Sequence, residues 1–458
     1  MKLKFIVTSM ILSGLISSPI FAANDMPVSG YKGELFAAPC PNVSMYNPIM
    51  DAMSQNVRRA KPTVGCGKPI QFAGGINFDT QFGNVNQGFM GENNSRFTLN
   101  DAYLDVTGNI NPWVSAFMEL SYNNIQNTAL NTVSFGQFPF NNNVVSMPGI
   151  YSEAYTLHAL DLQQGYITLG NPELFPIFLK VGKQFQDFGR YTIHPITRSM
   201  TQVMTESLQT SAELSFISAW NNASFHGSLF TFQNQIPEMD IGDVTPFLPP
   251  TVPNHGNTNF GAQLGVGQVS TQLGWDIGVG YINDMMGVND IAYANAFIKN
   301  TLYRVADGQT VNTNQSFYID RTSALTVYGM VNSGPFSLSG HYVTALQSFS
   351  YVDFSSSLNE NSDDFLEGAQ PWAADLQVAY GFNYWDRAQN LYLGYQQSGD
   401  AVALFIPERR WVAGYGIDVL KNTNIGVEYS NDQAYSISDG GNSEHSNRVA
   451  LRAGVMFG

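Results

Sequence analysis

The chain has 458 residues, with 21 Lys and Arg against 36 Asp and Glu and a net charge of −15. Charged residues are only 12% of the total, while Gly, Tyr and Phe number 42, 22 and 31. An acidic balance of this size disfavours nucleic acid and anionic lipid surfaces as partners.

The chain opens MKLKFIVTSMILSGLISSPIFA, with Lys2 and Lys4 ahead of an apolar stretch and small residues at Ala22 and Ala23. This predicts a cleaved signal peptide over residues 1–22, and the net charge of −15 becomes −17 once both lysines leave. No later run reaches about 18 apolar residues, so no transmembrane helix is available, and a membrane-bound mature chain has to be a closed barrel.

Residues 23–69 read as a short periplasmic segment that holds both cysteines, Cys40 and Cys66, which an oxidising compartment joins as one disulfide. Asn47 is placed to cap a short helix with Pro48 at its first position, and Ile49, Met50, Met53 and Val57 fall on one side of it. Arg58, Arg59, Lys61 and Lys68 follow as the densest basic cluster. Two readings stay open here, a clip at the periplasmic mouth or inside the lumen, and a solvated tether.

From Ile70 to the last residue, 70–458, side chains alternate between apolar and polar, the period of strands. In the first, Ile70, Phe72, Gly74, Ile76, Phe78, Thr80 and Phe82 share a face against Gln71, Asn77, Asp79 and Gln81. Strands are then predicted at 97–107, 113–124, 157–169, 177–186, 212–220, 223–234, 258–269, 273–284, 321–332, 336–347, 371–383, 389–399, 409–419, 424–432 and 446–457. The connections alternate between tight and long. Asn109, Asn111 and Pro112 mark one tight turn and Asn221–Asn222 another, whereas Gly83–Arg96, Ile125–Thr156 and Asp187–Ser211 are long. Sixteen strands with tight turns at one end and long loops at the other predict an all-β, antiparallel outer-membrane barrel with periplasmic turns and extracellular loops. Aromatics near strand ends, Tyr122, Trp220, Trp275, Tyr281, Trp372, Phe382, Trp411 and Tyr429, suit headgroup girdles contacting lipid and lipopolysaccharide. The terminal NRVALRAGVMFG resembles the signal read by outer-membrane assembly machinery, with Gly458 following the aromatic Phe457.

Parity sends Asp79, Asp105, Glu119, Asp161, Lys180, Glu213, Asp276, Asp375, Arg410, Asp418, Glu428, Arg448 and Arg452 into the lumen, because each would cost several kcal/mol against lipid. They read either as a filter of opposed charges or as strand-locking pairs such as Asp418 or Glu428 with Arg448 and Arg452. The stretch from Leu179 to Met200 adds Lys180 and Gln184 facing inward, Lys183 on the lipid side snorkelling or marking a bulge, and Arg190, His194 and Arg198 in a loop long enough to fold inside. Such a basic group suits a small anionic solute, a polycarboxylate chelate or phosphate; lipopolysaccharide phosphate at the outer rim is the competing ligand. The six histidines lack metal-ligand spacing and no cofactor is indicated. A hydrolase reading would rest on Ser224 and His226 alone, with nothing specific behind it.

The Gly74-Gly75 opening, the hairpin LDVTGNINPWVSAFMELSY and the segment VGKQFQDFGRYTIHPITRSM together resemble the LbtU-type siderophore porins of Gram-negative bacteria. The resemblance implies a sixteen-stranded outer-membrane barrel that takes up ferric siderophore, without the plug of energy-coupled receptors. An N-terminal segment of this length is too short for such a plug, so facilitated diffusion is expected. A general or phosphate-type porin, and a closed barrel acting as an enzyme or adhesin, are the alternatives.

Overall fold

A computed structural model of the chain describes residues 70–123 apart from 88–89, 94–95 and 112, the short ribbon 138–140 and 143–145, and 159–236 apart from 172–174, 192–194 and 221–222. It also describes 258–295 apart from 269–272, 318–357 apart from 352, then 364 and 367–457 apart from 421. The signal peptide, Cys40, Cys66 and the helix expected at Pro48 lie outside the described residues.

One antiparallel sheet closes on itself. Its staves in chain order are β1 (Ile70–Gln87), β2 (Arg96–Asn111, preceded by the short run Met90–Asn93), β3 (Val114–Asn123), β4 (Ala159–Leu169), β5 (Ile177–Phe185), β6 (Leu208–Trp220), β7 (Ala223–Gln233) and β8 (Thr258–Gln268). They continue as β9 (Gly274–Ile282), β10 (Ala324–Ser333), β11 (Phe336–Ala345), β12 (Trp372–Tyr384), β13 (Arg387–Gly399), β14 (Arg409–Leu420), β15 (Thr423–Gln433) and β16 (His445–Phe457). Each stave pairs with its neighbours in sequence, and β1 meets β16 in a register running from Gly74 opposite Phe457 to Asn84 opposite Asn447. The barrel therefore has sixteen strands and no free edge, the condition for crossing a bilayer with every backbone group paired.

The alternation of the sequence becomes two faces. On β1, Ile70, Phe72, Ile76 and Phe78 are exposed, whereas Ala73, Asn77 and Asp79 are buried. An outer surface carrying Leu229, Leu264, Leu376, Leu393 and Val455 exposed around the barrel is solvated by hydrocarbon rather than water. The tight turns sit together at one end. Between β12 and β13 both central residues, Trp385 and Asp386, have φ near +55°, a primed turn whose twist matches the strands it joins.

Several boundaries differ from expectation, and two of them reshape the loops. The long loop expected at Gly83–Arg96 is largely strand: Asn84 to Gln87 pair with Met90 to Asn93, so the sheet extends past the barrel rim as a narrow hairpin. And β6 begins at Leu208, because Leu208 to Ser211 extend the ladder with Phe185 to Gly182. Lys183 itself stays in regular register, and the bulge lies on the neighbouring strand at Gln163. The pairing of β3 with β4 skips a residue between Leu162 and Gln164, and the Lys183 ammonium donates to the Leu162 carbonyl there at 2.7 Å.

At the long-loop end, connections fold inward onto an apolar core. Met200 and Met204 meet Phe188, Phe230, Phe232, Ile282, Met285, Met286 and Val343, all buried. The short helix α1 (Met200–Val203) carries two of that core's side chains and packs against β11, β12 and β13. Ser199 caps it, its hydroxyl accepting from the Gln202 N–H at 3.1 Å.

Candidate functional site

The described residues of the segment 186–207, all but 192–194, lead from β5 into the lumen and back to β6. Near its start it lies on one wall. The Asp187 carboxylate accepts from the Ser228 hydroxyl of β7 at 3.1 Å, the Gly189 N–H donates to Gln263 Oε1 of β8 at 3.0 Å, and the Arg190 guanidinium lies over the Tyr328 ring of β10, 5.7 Å from its centroid. The Tyr191 ring stands 5.9 Å from the His341 ring of β11.

Its far side rests on another wall. The Glu428 carboxylate of β15 accepts the N–H groups of Ile196 and Thr197, at 2.5 and 2.9 Å, and the Tyr392 hydroxyl at 2.7 Å. The Arg410 guanidinium donates to the Arg198 carbonyl at 3.2 Å, and Arg452 donates to the Ile196 carbonyl at 3.4 Å. On the way back the Met200 N–H donates to Gln396 Oε1 of β13 at 3.2 Å, and the Thr201 hydroxyl donates to Asp375 of β12. Arg198 itself bridges Asp290 at 2.6 Å and Glu206 at 3.0 Å, tying the segment to the helical residues 289–295. Charge-assisted bonds of this kind are about twice as strong as neutral ones, so the segment is held as part of the wall.

The residues singled out by sequence fall into distinct groups. Arg190, Arg198, Asp375, Arg410, Glu428, Arg448 and Arg452 meet at or along this segment. Lys180 and Glu213 form a buried pair at 2.9 Å on β5 and β6, and the Glu213 carboxylate also accepts from the Ser215 hydroxyl at 2.7 Å. Glu119 accepts from Gln164 at 2.7 Å, and Gln184 donates to the Ser211 hydroxyl at 3.1 Å. Asp161 stands opposite Ser121 in the register; its side chain and the whole of His194 lie outside the described residues. The pairing suggested for Glu428 with Arg448 or Arg452 is replaced. Arg452 reaches Asp79 across the barrel seam with two bonds, at 2.7 and 2.6 Å, while Glu428 is taken by the loop backbone.

A second inward cluster was not foreseen. His226 Nε2 lies 3.0 Å from the Tyr328 hydroxyl and 3.6 Å from Asp276 Oδ1, rather than toward a nucleophile. The two rings reach each other over Gly265 and Gly278, where a Cβ would stand 2.2 Å from His226 Nε2 and 2.3 Å from the Tyr328 hydroxyl oxygen. Asp187, Glu206, Asp290, Tyr392 and Asp432 were also missed as partners. Asp432 and Tyr392 had a signal, since parity places both on the inward face, Asp432 beside Arg410.

Burial raises the carboxyls of two groups at the long-loop end. Asp284, past the end of β9, is pushed up to about 6, against the N–H of Met286, the Tyr318 hydroxyl and the amide of Asn234. Glu206 is raised by burial, opposed by Arg198.

No family profile matches the chain. It is 24% identical over 367 residues to a UPF0422 protein of Coxiella burnetii, covering 80% of this chain and 65% of that protein. It is 23% identical over 348 residues to a UPF0422 protein of Legionella pneumophila strain Philadelphia 1, covering 74% and 55%. The chain thus spans between about half and two thirds of the length of the curated relatives it matches. Among solved structures it is similar to Pseudomonas putida OprB at high pH (TM-score 0.49, 11% identity, 87% of this chain and 99% of that one) and to an anion-selective porin from Comamonas acidovorans (TM-score 0.48, 10% identity, 85% and 99%). The outer-membrane channel DcaP of Acinetobacter baumannii gives TM-score 0.45 and 14% identity over 85% and 97%. The closed sixteen-strand barrel with its apolar outer band belongs in the outer membrane of a Gram-negative bacterium.

Proposed function

We propose that the chain is an outer-membrane porin whose solute path is shaped by the segment 186–207, and that its cargo is a ferric siderophore or a similar small anionic chelate moving by facilitated diffusion. The observation that carries the porin reading is this segment held inside the lumen by Gln263, Asp375, Gln396 and Glu428 on opposite walls. An adhesin would spend its long loops on the outer surface. Here a long connection is turned inward, the placement that narrows and chemically lines a passage in a porin. Sixteen strands favour diffusion over energy coupling, since plugged transporters need about 22. The ferric chelate as cargo rests on the resemblance to siderophore porins.

Purified barrel in planar bilayers is expected to give discrete conductance steps, and a deletion strain is expected to lose uptake of labelled ferric siderophore. A barrel without conductance would defeat the porin reading. Conductance together with normal siderophore uptake would defeat the cargo and leave a general or phosphate-type porin.

A further inference from the structure

Three arginines face the tip of the internal segment from β14 and β16, and their charges are balanced unequally. Arg410 is held by Asp432 through two bonds, at 2.6 and 2.8 Å, and Arg452 by Asp79 through two more. Both forks are spent on a carboxylate. Arg448, 6% exposed, has hydroxyl partners instead: its Nε donates to Ser430 Oγ at 3.3 Å and its Nη2 to Thr197 Oγ1 at 3.1 Å. Among the described residues no carboxylate lies within 4 Å of it. The nearby acids are engaged elsewhere, Asp432 by Arg410 through both oxygens and Glu428 by Ile196, Thr197 and Tyr392.

A buried guanidinium whose hydrogen bonds all go to neutral oxygens forgoes the anion its geometry is built to bind. We propose that Arg448, with the Thr197 hydroxyl and the neighbouring Arg410, is the point inside the lumen where a small carboxylate or phosphate anion binds. The site deepens the porin reading and rests on it for its biological use. A carboxylate or phosphate group meets the planar fork with two parallel bonds, and the two long hydroxyl contacts are the ones it replaces. Thr197 can give up its side-chain contact without freeing the loop, because Glu428 holds the same residue separately through its N–H. Asp432 and Asp79 fix the flanking arginines to the wall, which leaves the third as the one whose fork is available.

The test uses the full chain as a folded barrel in detergent, with citrate and inorganic phosphate as probes in isothermal titration calorimetry, and the reversal potential in a salt gradient as a second readout. Arg448→Gln is expected to weaken citrate binding roughly tenfold or more and to shift selectivity toward cations; Arg448→Lys is expected to keep part of the binding and Thr197→Val to lower it less. Equal citrate affinity in the wild type and Arg448→Gln, or no binding of either probe to the wild type, overturns the site. If Arg448→Gln does not fold, Arg448→Lys and Thr197→Val decide it, since unchanged affinity in both overturns it. A wild type that binds citrate through Arg448 but does not conduct keeps the site and defeats the porin; one that conducts with binding indifferent to Arg448 does the reverse.

Discussion

Replacing Glu428 with Ala removes the strongest hold on the internal segment. The carboxylate accepts two loop N–H groups, at 2.5 and 2.9 Å, and is 1% exposed. Hydrogen bonds to a charged group contribute about 1.5–3 kcal/mol each, so the pair holds the tip with roughly 3–6 kcal/mol, a factor of about 10² to 10⁴ in the docked population. Contacts from Arg410, Arg448 and Arg452 remain, at 3.1 to 3.4 Å, and keep the change local. Amide hydrogen exchange followed by mass spectrometry on the solubilised barrel reads it directly. Protection of Ile196 and Thr197 is expected to fall by two to four orders of magnitude in Glu428→Ala, with Glu428→Gln between, because the amide keeps one acceptor and turns donors toward a second N–H. Bilayer currents through the Ala variant are expected to fluctuate more. Unchanged protection at 196 and 197, in a variant that still folds, would mean that the carboxylate does not anchor the segment.

Two further outcomes are expected. Asp284, raised by burial to about 6 in the folded chain, has an unfolded value near 3.9, so its contribution to stability is full below about 4 and is lost as pH rises through about 6. The packing of the long-loop end is therefore expected to resist urea better at pH 5 than at pH 7.5, by about 1.4 kcal/mol of the roughly 3 kcal/mol that the whole window holds, and Asp284→Asn is expected to flatten that slope; a slope of the opposite sign refutes the assignment. Glu206 acts in the same direction. Lys180→Glu places two carboxylates where Lys180 and Glu213 now pair at 2.9 Å, and is expected to cost about 3–5 kcal/mol, read as a lowered urea midpoint. The exchange Lys180→Glu with Glu213→Lys is expected to recover most of it, and a double variant no better than the single one shows that the pair is not what matters.

What was legible in the sequence and what was not divides along one physical line. Wall residues were readable because a closed sheet with lipid on one side ties each side chain's direction to its parity, so Asp79, Glu213, Asp375 and Arg448 could be placed inward from position alone. Most tight turns were readable because Gly, Asn and Pro impose their backbone angles locally, whereas the Trp385–Asp386 turn is marked only by the alternation ending on either side of it. Lys183 stood out as a charge out of phase, and it bonds the bulge that β4 carries beside it. The partners of these residues were not readable, since register fixes a direction but says nothing of what a loop brings from across the lumen. Asp79 and Arg452 are 373 positions apart and meet only because the barrel closes. The anchoring of the internal segment was the least visible feature, for a chemical reason: at its tip Glu428 binds the backbone N–H groups of Ile196 and Thr197, donors that every residue but proline possesses. Arg190 and Arg198 suggested an anion site by their charge, yet both are occupied, by Asp187 at 2.9 Å and by Asp290 with Glu206. The proposed anion site therefore rests not on the density of basic residues but on the arginine that the fold leaves hydrogen-bonded to hydroxyls.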